Sequence, residues 1–537
     1  MNYKINGIEY KNEKNQTIQE AIENINKAKE YIAAIVNGRV VDLKEPIFDN
    51  DQIELISKYS NIGNKIYSTS LSMLLIIAVK EVLGDLKVNV EYSIGDGIYI
   101  SIDNYKITRE ETFLIDKKMR ELQTLAIEIN KERVSKNVAI SIFKAEGYIE
   151  KVALIESLNL DYVDIYLVNG RAFSFDKALV ADTSFVDKFR LIPYYPGIVI
   201  QYPNKECKNL PKFEEQVSLS KIYSTSKKWT DLMGIKYAAD LNRAVLDGKM
   251  DKLILVNETY YNNQLALCAK DIIEKNMQIV LIAGPSSSGK STTAEKLAIQ
   301  LAVYGKNTFI ISTDDYFIDR DKTPINEYGH KDYENVKAID LERLNEDLLE
   351  LLEGKEIELP SFNFISGKRE KSNKKIKLDE GILIIEGIHS LNPILSKYIP
   401  QKNKYKIYVS ALTQINIDSH NRISSSDARL IRRIVRDKNF RGYNPIETIE
   451  AWDNVRRGER EYIFPFQENA DFYMDTSLIY EFNALKNEAI KALDTIDKTS
   501  KYYYKANDLK KLLSHFIGLD DLSIITNDSI LREFIGD

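Results

Sequence analysis

The chain has 537 residues, 44% of them apolar and 29% charged, with a formal net charge of −6. At ~150 residues per domain this length makes roughly three or four domains, and the slight acidity argues against a broad basic surface for nucleic acid. Two distant cysteines, Cys207 and Cys268, exclude a disulfide framework and a cysteine zinc site. The four histidines, His330, His389, His420 and His515, all fall in the C-terminal part, so the N-terminal half has no histidine metal site or histidine base. The N-terminus lacks the apolar stretch of a signal peptide, and the longest apolar run, residues 73–79, is too short for a bilayer. A soluble, cytoplasmic protein with no membrane partner is expected.

In chain order, Asn6-Gly7 predicts a hairpin turn. Thr17 caps a predicted helix with Ile18, Ala21, Ile22 and Ile25 on one face. Residues 32–36 read as a strand, Asn37-Gly38 as a turn, 39–43 as the partner strand and 52–56 as a last short strand. This order predicts a β-grasp over residues 1–58. A helix over 70–83 follows, then strands over 88–92 and 97–102. A long helix over 108–132 is opened by the capping signal Thr108-Arg109-Glu110-Glu111. Residues 221–275 are mostly helical, clearest over 229–242 and 262–275, and read as a connector. The basic, polar stretch 368–377 reads as an exposed loop. At the end, residues 527–536 form a short capped helix. Its apolar Ile530, Leu531, Phe534 and Ile535 pack on the body or on a second copy of the chain.

The chemistry is concentrated after residue 278. Residues 278–283 are a short apolar run, read as a buried parallel strand. It leads into Gly284-Pro285-Ser286-Ser287-Ser288-Gly289-Lys290-Ser291, then Thr292 and a helix over 292–304. Strand, glycine loop and helix are the context a phosphate-binding loop requires. The glycines let backbone N–H groups converge on phosphate oxygens, and the helix N-terminus adds positive potential. Lys290 can reach the β- and γ-phosphates and the Ser291 hydroxyl can ligate Mg²⁺, so ATP and Mg²⁺ are the expected cofactors. A second strand, 308–312, ends in Thr313-Asp314-Asp315-Tyr316-Phe317. Asp314 is the candidate base for an attacking hydroxyl, with Asp315 the alternative. A third apolar strand, 381–385, ends in Glu386-Gly387, and Glu386 is placed to serve Mg²⁺. Arg429, Arg432, Arg433 and Arg436 share one side of a helix over 428–438, with Arg441 beyond it. They predict a lid whose guanidinium groups cover the phosphates.

These motifs carry a resemblance. Residues from about 279 to 480 resemble the uridine kinase branch of the uridine kinase and phosphoribulokinase superfamily. The likeness rests on the phosphate-binding loop, Asp314-Asp315-Tyr316-Phe317, Pro360-Ser361-Phe362-Asn363-Phe364, Ile385-Glu386-Gly387-Ile388 and the run from Arg429 to Asp437 with Arg441-Gly442. It implies that Asp314, Lys290, Arg433 and Arg436 are catalytic. It also implies that Tyr316, Glu334, Phe362, Phe364, Arg433, Arg436 and Arg441 bind a nucleoside. Two positions depart from the pattern: Glu334 stands where the family has Asp, and Gly367 stands where it has the histidine that contacts the pyrimidine. Upstream, the stretches 33–38 and 51–56 resemble the TGS domain of threonyl-tRNA synthetases. Residues 78–83 and 95–99 are similar to that family's editing domain. The editing histidines fall on Thr69 and Met73, and the later Cys/His pair falls in 192–202, which has neither residue. A binding or scaffolding unit without the hydrolytic chemistry is expected.

The expected architecture is multidomain. A TGS-like β-grasp (1–58) and an α+β editing-like domain (59–220) precede a helical connector (221–275). An α/β P-loop kinase domain with a parallel sheet of about five strands (276–490) and a C-terminal helical tail (491–537) follow. The expected reaction is phosphorylation of a nucleoside 5′-hydroxyl. The competing readings are a kinase of another sugar or polyol, and an RNA-linked regulator that uses ATP as a conformational signal.

Overall fold

The computed structural model describes residues 2–11, 16–23, 28–204, 208–327, 329, 331–363 and 366–536. Ile25, Cys207, His330 and Phe364 lie outside the described residues. Asn6 and Gly7 both take positive φ and close the hairpin of Asn2–Ile5 with Ile8–Lys11. The first sheet has five strands in the order Ile8–Lys11, Asn2–Ile5, Gln52–Ser57, Tyr31–Val36, Arg39–Val41. Helix Ile18–Ile22 lies against it, started by a capping box between Thr17 and Glu20.

Helix Asn61–Leu83 starts earlier than the apolar pattern suggests, because Ser60 accepts the Gly63 amide and caps it there. It is long and apolar enough to cross a membrane by composition. Most of it is nonetheless buried against an antiparallel sheet ordered Arg190–Tyr194, Gly197–Gln201, Gly97–Ile102, Val88–Ile94. The helix expected over 108–132 stops at Thr124. Ala126 turns to positive φ, and Asn130–Ser135 pairs as a strand with Tyr162–Val168. The Arg133 guanidinium clasps Asp164 across that pair, and tertiary pairing overrides the local helix propensity. The stretch read as a loop, Lys368–Lys377, is likewise a strand, paired with Glu356–Asn363. Its lysines stay in water while Ile376 opposes Ile357 in the core.

The C-terminal part is built on a five-stranded parallel sheet. Its order is Thr308–Ser312, Ile382–Glu386, Ile279–Ala283, Lys404–Ser410, Phe472–Asp475. The central strands are apolar throughout because helices cover both faces. Helix Lys290–Val303 follows the central strand. Gly234, at φ +69°, ends helix Val217–Met233, so the helix expected over 229–242 is divided. Helices Ala238–Leu246 and Met250–Glu274 then share one core with the sheet and with the chain end: Leu241, Leu265, Ile282, Leu485, Leu513 and Phe534 belong to a single buried cluster. The segments expected as connector and tail are therefore built into this core.

The two halves are joined by the loop that follows strand Lys404–Ser410. Its Ser419 carbonyl accepts the Val90 amide (2.8 Å), and its buried Asp418 pairs with buried Lys151 (2.8 Å). The His420 ring lies 4.8 Å from that of Tyr148 and 5.9 Å from that of Phe175. Burial first, then Lys151, holds its pKa well below 6.5, against the weaker pull of Asp418. A histidine that binds its proton less readily when folded lends stability that is complete above pH 6.5 and is lost as pH falls toward the folded pKa. Urea denaturation at a series of pH values from 7.5 to 5 tests this: His420→Phe should flatten the fall in stability. Equal slopes for the two proteins would refute it.

Candidate active site

The phosphate-binding loop, Gly284 to Ser291, leaves the central strand and enters helix Lys290–Val303. Gly284 is obligatory, since a Cβ there would fall 2.0 Å from the Val409 carbonyl oxygen. Ser287 and Gly289 both take positive φ, curling the chain. The first amides of the helix have no intrahelical acceptor, and the buried Ser287 and Ser288 hydroxyls have no hydrogen-bond partner. Lys290 Nζ donates to the Pro285 carbonyl across the loop (3.3 Å). A cradle of free donors around a lysine fits a polyphosphate.

Strand register sets the neighbours. Glu386 pairs with Ile282 on one side and Ser312 on the other. Its carboxylate accepts from Ser291 Oγ (3.1 Å) and Ser312 Oγ (2.6 Å). Burial, and then the charge of Asp314, push the Glu386 carboxyl up to about 7. Gly387 allows this approach, because a Cβ there would sit 1.7 Å from Thr313 Oγ1. Among the described residues no cluster of three or more His, Cys, Asp or Glu could hold a metal. One carboxylate with flanking hydroxyls suits Mg²⁺ that takes its other ligands from phosphate and water. Ser291 and Glu386 are the residues that could hold it.

The acceptor side is built from the turn Thr313–Tyr316 and the segment around Glu334. Glu334 lies within electrostatic reach of Arg433, Lys290 and Asp314. Burial raises its carboxyl to about 7, with Arg433 pulling it down more weakly. Glu334 packs on Gly458, where a Cβ would fall 2.2 Å from Glu334 Cβ. Beside it is a residue the sequence reading passed over. His389 is 1% exposed and its ring lies against the Glu334 backbone. Burial lowers its pKa to about 4, so it is a neutral imidazole at pH 7. It stands three residues after the strand-end glutamate, in Glu386-Gly387-Ile388-His389, with no second residue spaced to it.

Other expected residues are placed differently. Tyr316 is fully buried and donates its hydroxyl to Asp347 (2.9 Å), so it belongs to the core behind the turn. Phe362 sits on the hairpin with its ring 5.6 Å from that of Phe317. Gly367, at φ +67°, closes the hairpin tip. A Cβ there would fall 2.7 Å from Arg320 Nε, so no histidine fits at that position without moving Arg320.

The arginine helix, Ser425–Arg436, corrects the expectation of a lid. It is a core helix whose guanidinium groups support the loop from behind. Arg429 is bound bidentately by Glu459 and donates to the Ser286 carbonyl (3.0 Å). Arg432 is fully buried, paired with Glu481 and donating to the Thr476 carbonyl (2.8 Å). Thr476 in turn donates to the Ser288 carbonyl (2.6 Å). Arg433 reaches Ser286 Oγ (3.0 Å) and is held by Asp437, which also receives Arg436 (3.2 Å) and lies 4.0 Å from Arg441. Arg441 also feels Asp314. Arg433 and Arg441 thus remain at the site, while Arg429 and Arg432 are structural.

Residues 279–478 match the model of the Phosphoribulokinase / Uridine kinase family. Within that region the chain is 28% identical over 198 residues to a uridine kinase of Staphylococcus haemolyticus, covering 36% of this chain and 86% of that one. It is 29% identical over 200 residues to a uridine kinase of Ligilactobacillus salivarius, covering 37% and 84%. The N-terminal part is 33% identical over 165 residues to a threonine–tRNA ligase of Citrifermentans bemidjiense, covering 30% of this chain and 26% of that one. The chain thus spans about a quarter of the length of that ligase. The family match supports a P-loop kinase in the C-terminal part.

The two kinds of arginine are separable by experiment. Arg433→Ala should lower kcat of the phosphotransfer by about 10²-fold, the scale of one lost charge-stabilising donor, with little change in melting temperature. Arg432→Ala should leave Glu481 buried and unpaired and cost about 3–5 kcal/mol of stability. A thermal melt and a turnover assay on each variant decide; equal behaviour of the two would refute the division.

Proposed function

We propose that the chain transfers the γ-phosphoryl group of ATP to the 5′-hydroxyl of a nucleoside. The observation that carries the reading is the convergence of Lys290, the Ser291–Glu386 pair, Asp314 and Glu334 at the ends of adjacent parallel strands. That is where open α/β sheets bind ligands. In this reading Lys290 and the loop amides bind the β- and γ-phosphates. Mg²⁺, when bound, neutralises charge on those phosphates. Asp314 accepts the proton of the attacking hydroxyl as the new O–P bond forms. The bond between the γ-phosphorus and the bridging oxygen breaks, and its electrons leave with ADP. Arg433 and Arg441 offset the charge that spreads over the equatorial oxygens. Glu334 accepts hydrogen bonds from the sugar, and neutral His389 offers the same pocket either a donor or an acceptor. Catalysis is positioning and electrostatics, with no covalent enzyme intermediate.

A second acceptor class, another sugar or polyol, is favoured by one observation. Arg320 packs on Gly367 where the base-contacting histidine would have to stand. The experiment that separates the two readings is coupled ADP release with ATP·Mg²⁺ across ribonucleosides, deoxyribonucleosides and simple polyols, with Asp314→Asn as control. Turnover of one nucleoside, reduced about 10²–10⁴-fold in Asp314→Asn, is the expected result. Turnover of polyols alone would move the assignment to the second class, and activity unchanged in Asp314→Asn would remove Asp314 as the base.

A further inference from the structure

The matched family region ends at residue 478, yet the chain end returns to the phosphate-binding loop. Ile530, Leu531 and Phe534 are fully buried. Ile530 lies against Gly289, where a Cβ would fall 2.9 Å from Ile530 Cγ2. Asp528 holds Lys296 on the helix that follows the loop (2.6 Å), Asn439 donates to the Phe534 carbonyl (3.1 Å), and the Arg432 guanidinium lies 5.3 Å from the Phe534 ring centroid. This apolar anchor presents one charged group to the site. Glu533 Oε2 accepts from Thr292 Oγ1 (3.1 Å), and its other oxygen lies 3.5 Å from Arg436 Nη1.

The position of that carboxylate follows from helix geometry. Ser291 and Thr292 point about 100° apart on the first helical turn. Ser291 faces Glu386, beside Asp314, and marks the end where phosphoryl transfer takes place. Thr292 faces away from it, toward Glu533. A polyphosphate laid along the loop leaves the transfer end on that second side. There a hydroxyl donor, a guanidinium and the positive end of a helix converge, which is a place for an anion. The anion present is the chain's own carboxylate.

We propose that the C-terminal segment 528–534 is a built-in competitor for the donor nucleotide, with Glu533 occupying the place of a donor phosphate oxygen. The proposal rests on the reading of the loop as a nucleotide site. Seating a nucleoside di- or triphosphate then requires Glu533 to swing away from Thr292 and Arg436. Its partial exposure, 21% of the side chain, permits the swing, and losing the Thr292 and Arg436 contacts loosens the backbone of 530–536. The resting chain holds its donor site partly closed, and whatever loosens the chain end raises nucleotide affinity.

The test is calorimetric titration of the full chain with ADP·Mg²⁺ and, separately, with inorganic tripolyphosphate. Proteins compared are the wild type, Glu533→Gln, and Asp521→Asn as a control for net charge. Glu533→Gln should tighten both ligands about 10-fold and Asp521→Asn should not. Hydrogen exchange on the wild type is the second readout, independent of any variant: saturating ADP·Mg²⁺ should speed exchange of the 530–536 amides. Equal affinity in Glu533→Gln and wild type, or unchanged or slower exchange, would overturn the competitor role while leaving the nucleotide site standing. Absence of binding to all three proteins would overturn the nucleotide site, and the competitor with it.

Discussion

The arginine helix, Ser425–Arg436, is the constraint around which the C-terminal part is assembled. It buries Arg429, Arg432 and Arg436 and half-buries Arg433. A guanidinium taken from water costs several kcal/mol unless its charge and its donors are met. Glu459, Glu481 and Asp437 meet the charge, and further donors reach the carbonyls of Ser286 and Thr476 and the hydroxyl of Ser286. The carbonyl side of the phosphate-binding loop is thereby pinned from outside. The Ser286 carbonyl is held by the Arg429 guanidinium and the Ser288 carbonyl by the Thr476 hydroxyl.

The same helix ties the two halves together. Its first-turn Asp427 is buried and receives Lys505 (2.8 Å) from the C-terminal region and Lys65 (2.6 Å) from helix Asn61–Leu83. The segment leading into it carries Asp418, Ser419 and His420 into the synthetase-like unit. Thr69 and Met73 stand at the two positions expected for hydrolytic histidines. Thr69 spends its hydroxyl on the Lys65 carbonyl, and Met73 is buried. What the N-terminal part contributes in this structure is a platform for the loop entering the arginine helix.

The phosphate-binding loop was legible because its chemistry is local. An apolar strand, a fixed glycine spacing and a helix occupy consecutive positions, and strand-end Glu386 and Asp314 are readable by the same logic. The arginines were legible as a cluster but not as a buried one, since Glu459 and Glu481 lie 30 and 49 residues from their partners. The long helix over 108–132 failed for a related reason: the polar stretch from Asn130 has no local reason to be a strand until Tyr162–Val168 pairs with it. His389 escaped because a lone histidine after a core strand carries no spacing signal. Only its burial beside Glu334 marks it. The contact of Glu533 with Thr292 joins residues 241 positions apart and had no sequence signature at all.

The electrostatics of the site explain why these pieces occur together. Glu334 and Glu386 each lie within reach of Asp314 and Lys290, Glu334 also of Arg433, and burial raises both glutamates to about 7. Carboxyls crowded in a buried site resist ionising until cationic charge is added. The phosphates alone would worsen that crowding, whereas a divalent cation brought in beside Ser291 and Glu386 would relieve it locally. Glu533 adds a fourth carboxylate on the far side of the loop, balanced by Arg436. The transfer end thus crowds three carboxyls among Lys290, Arg433 and Arg441, and the donor end is already satisfied. The cation of an arriving nucleotide is drawn to the first, and its phosphates are opposed by the Glu533 carboxylate at the second. Removing the opposing carboxylate leaves the attraction intact, so the two ends can be varied separately.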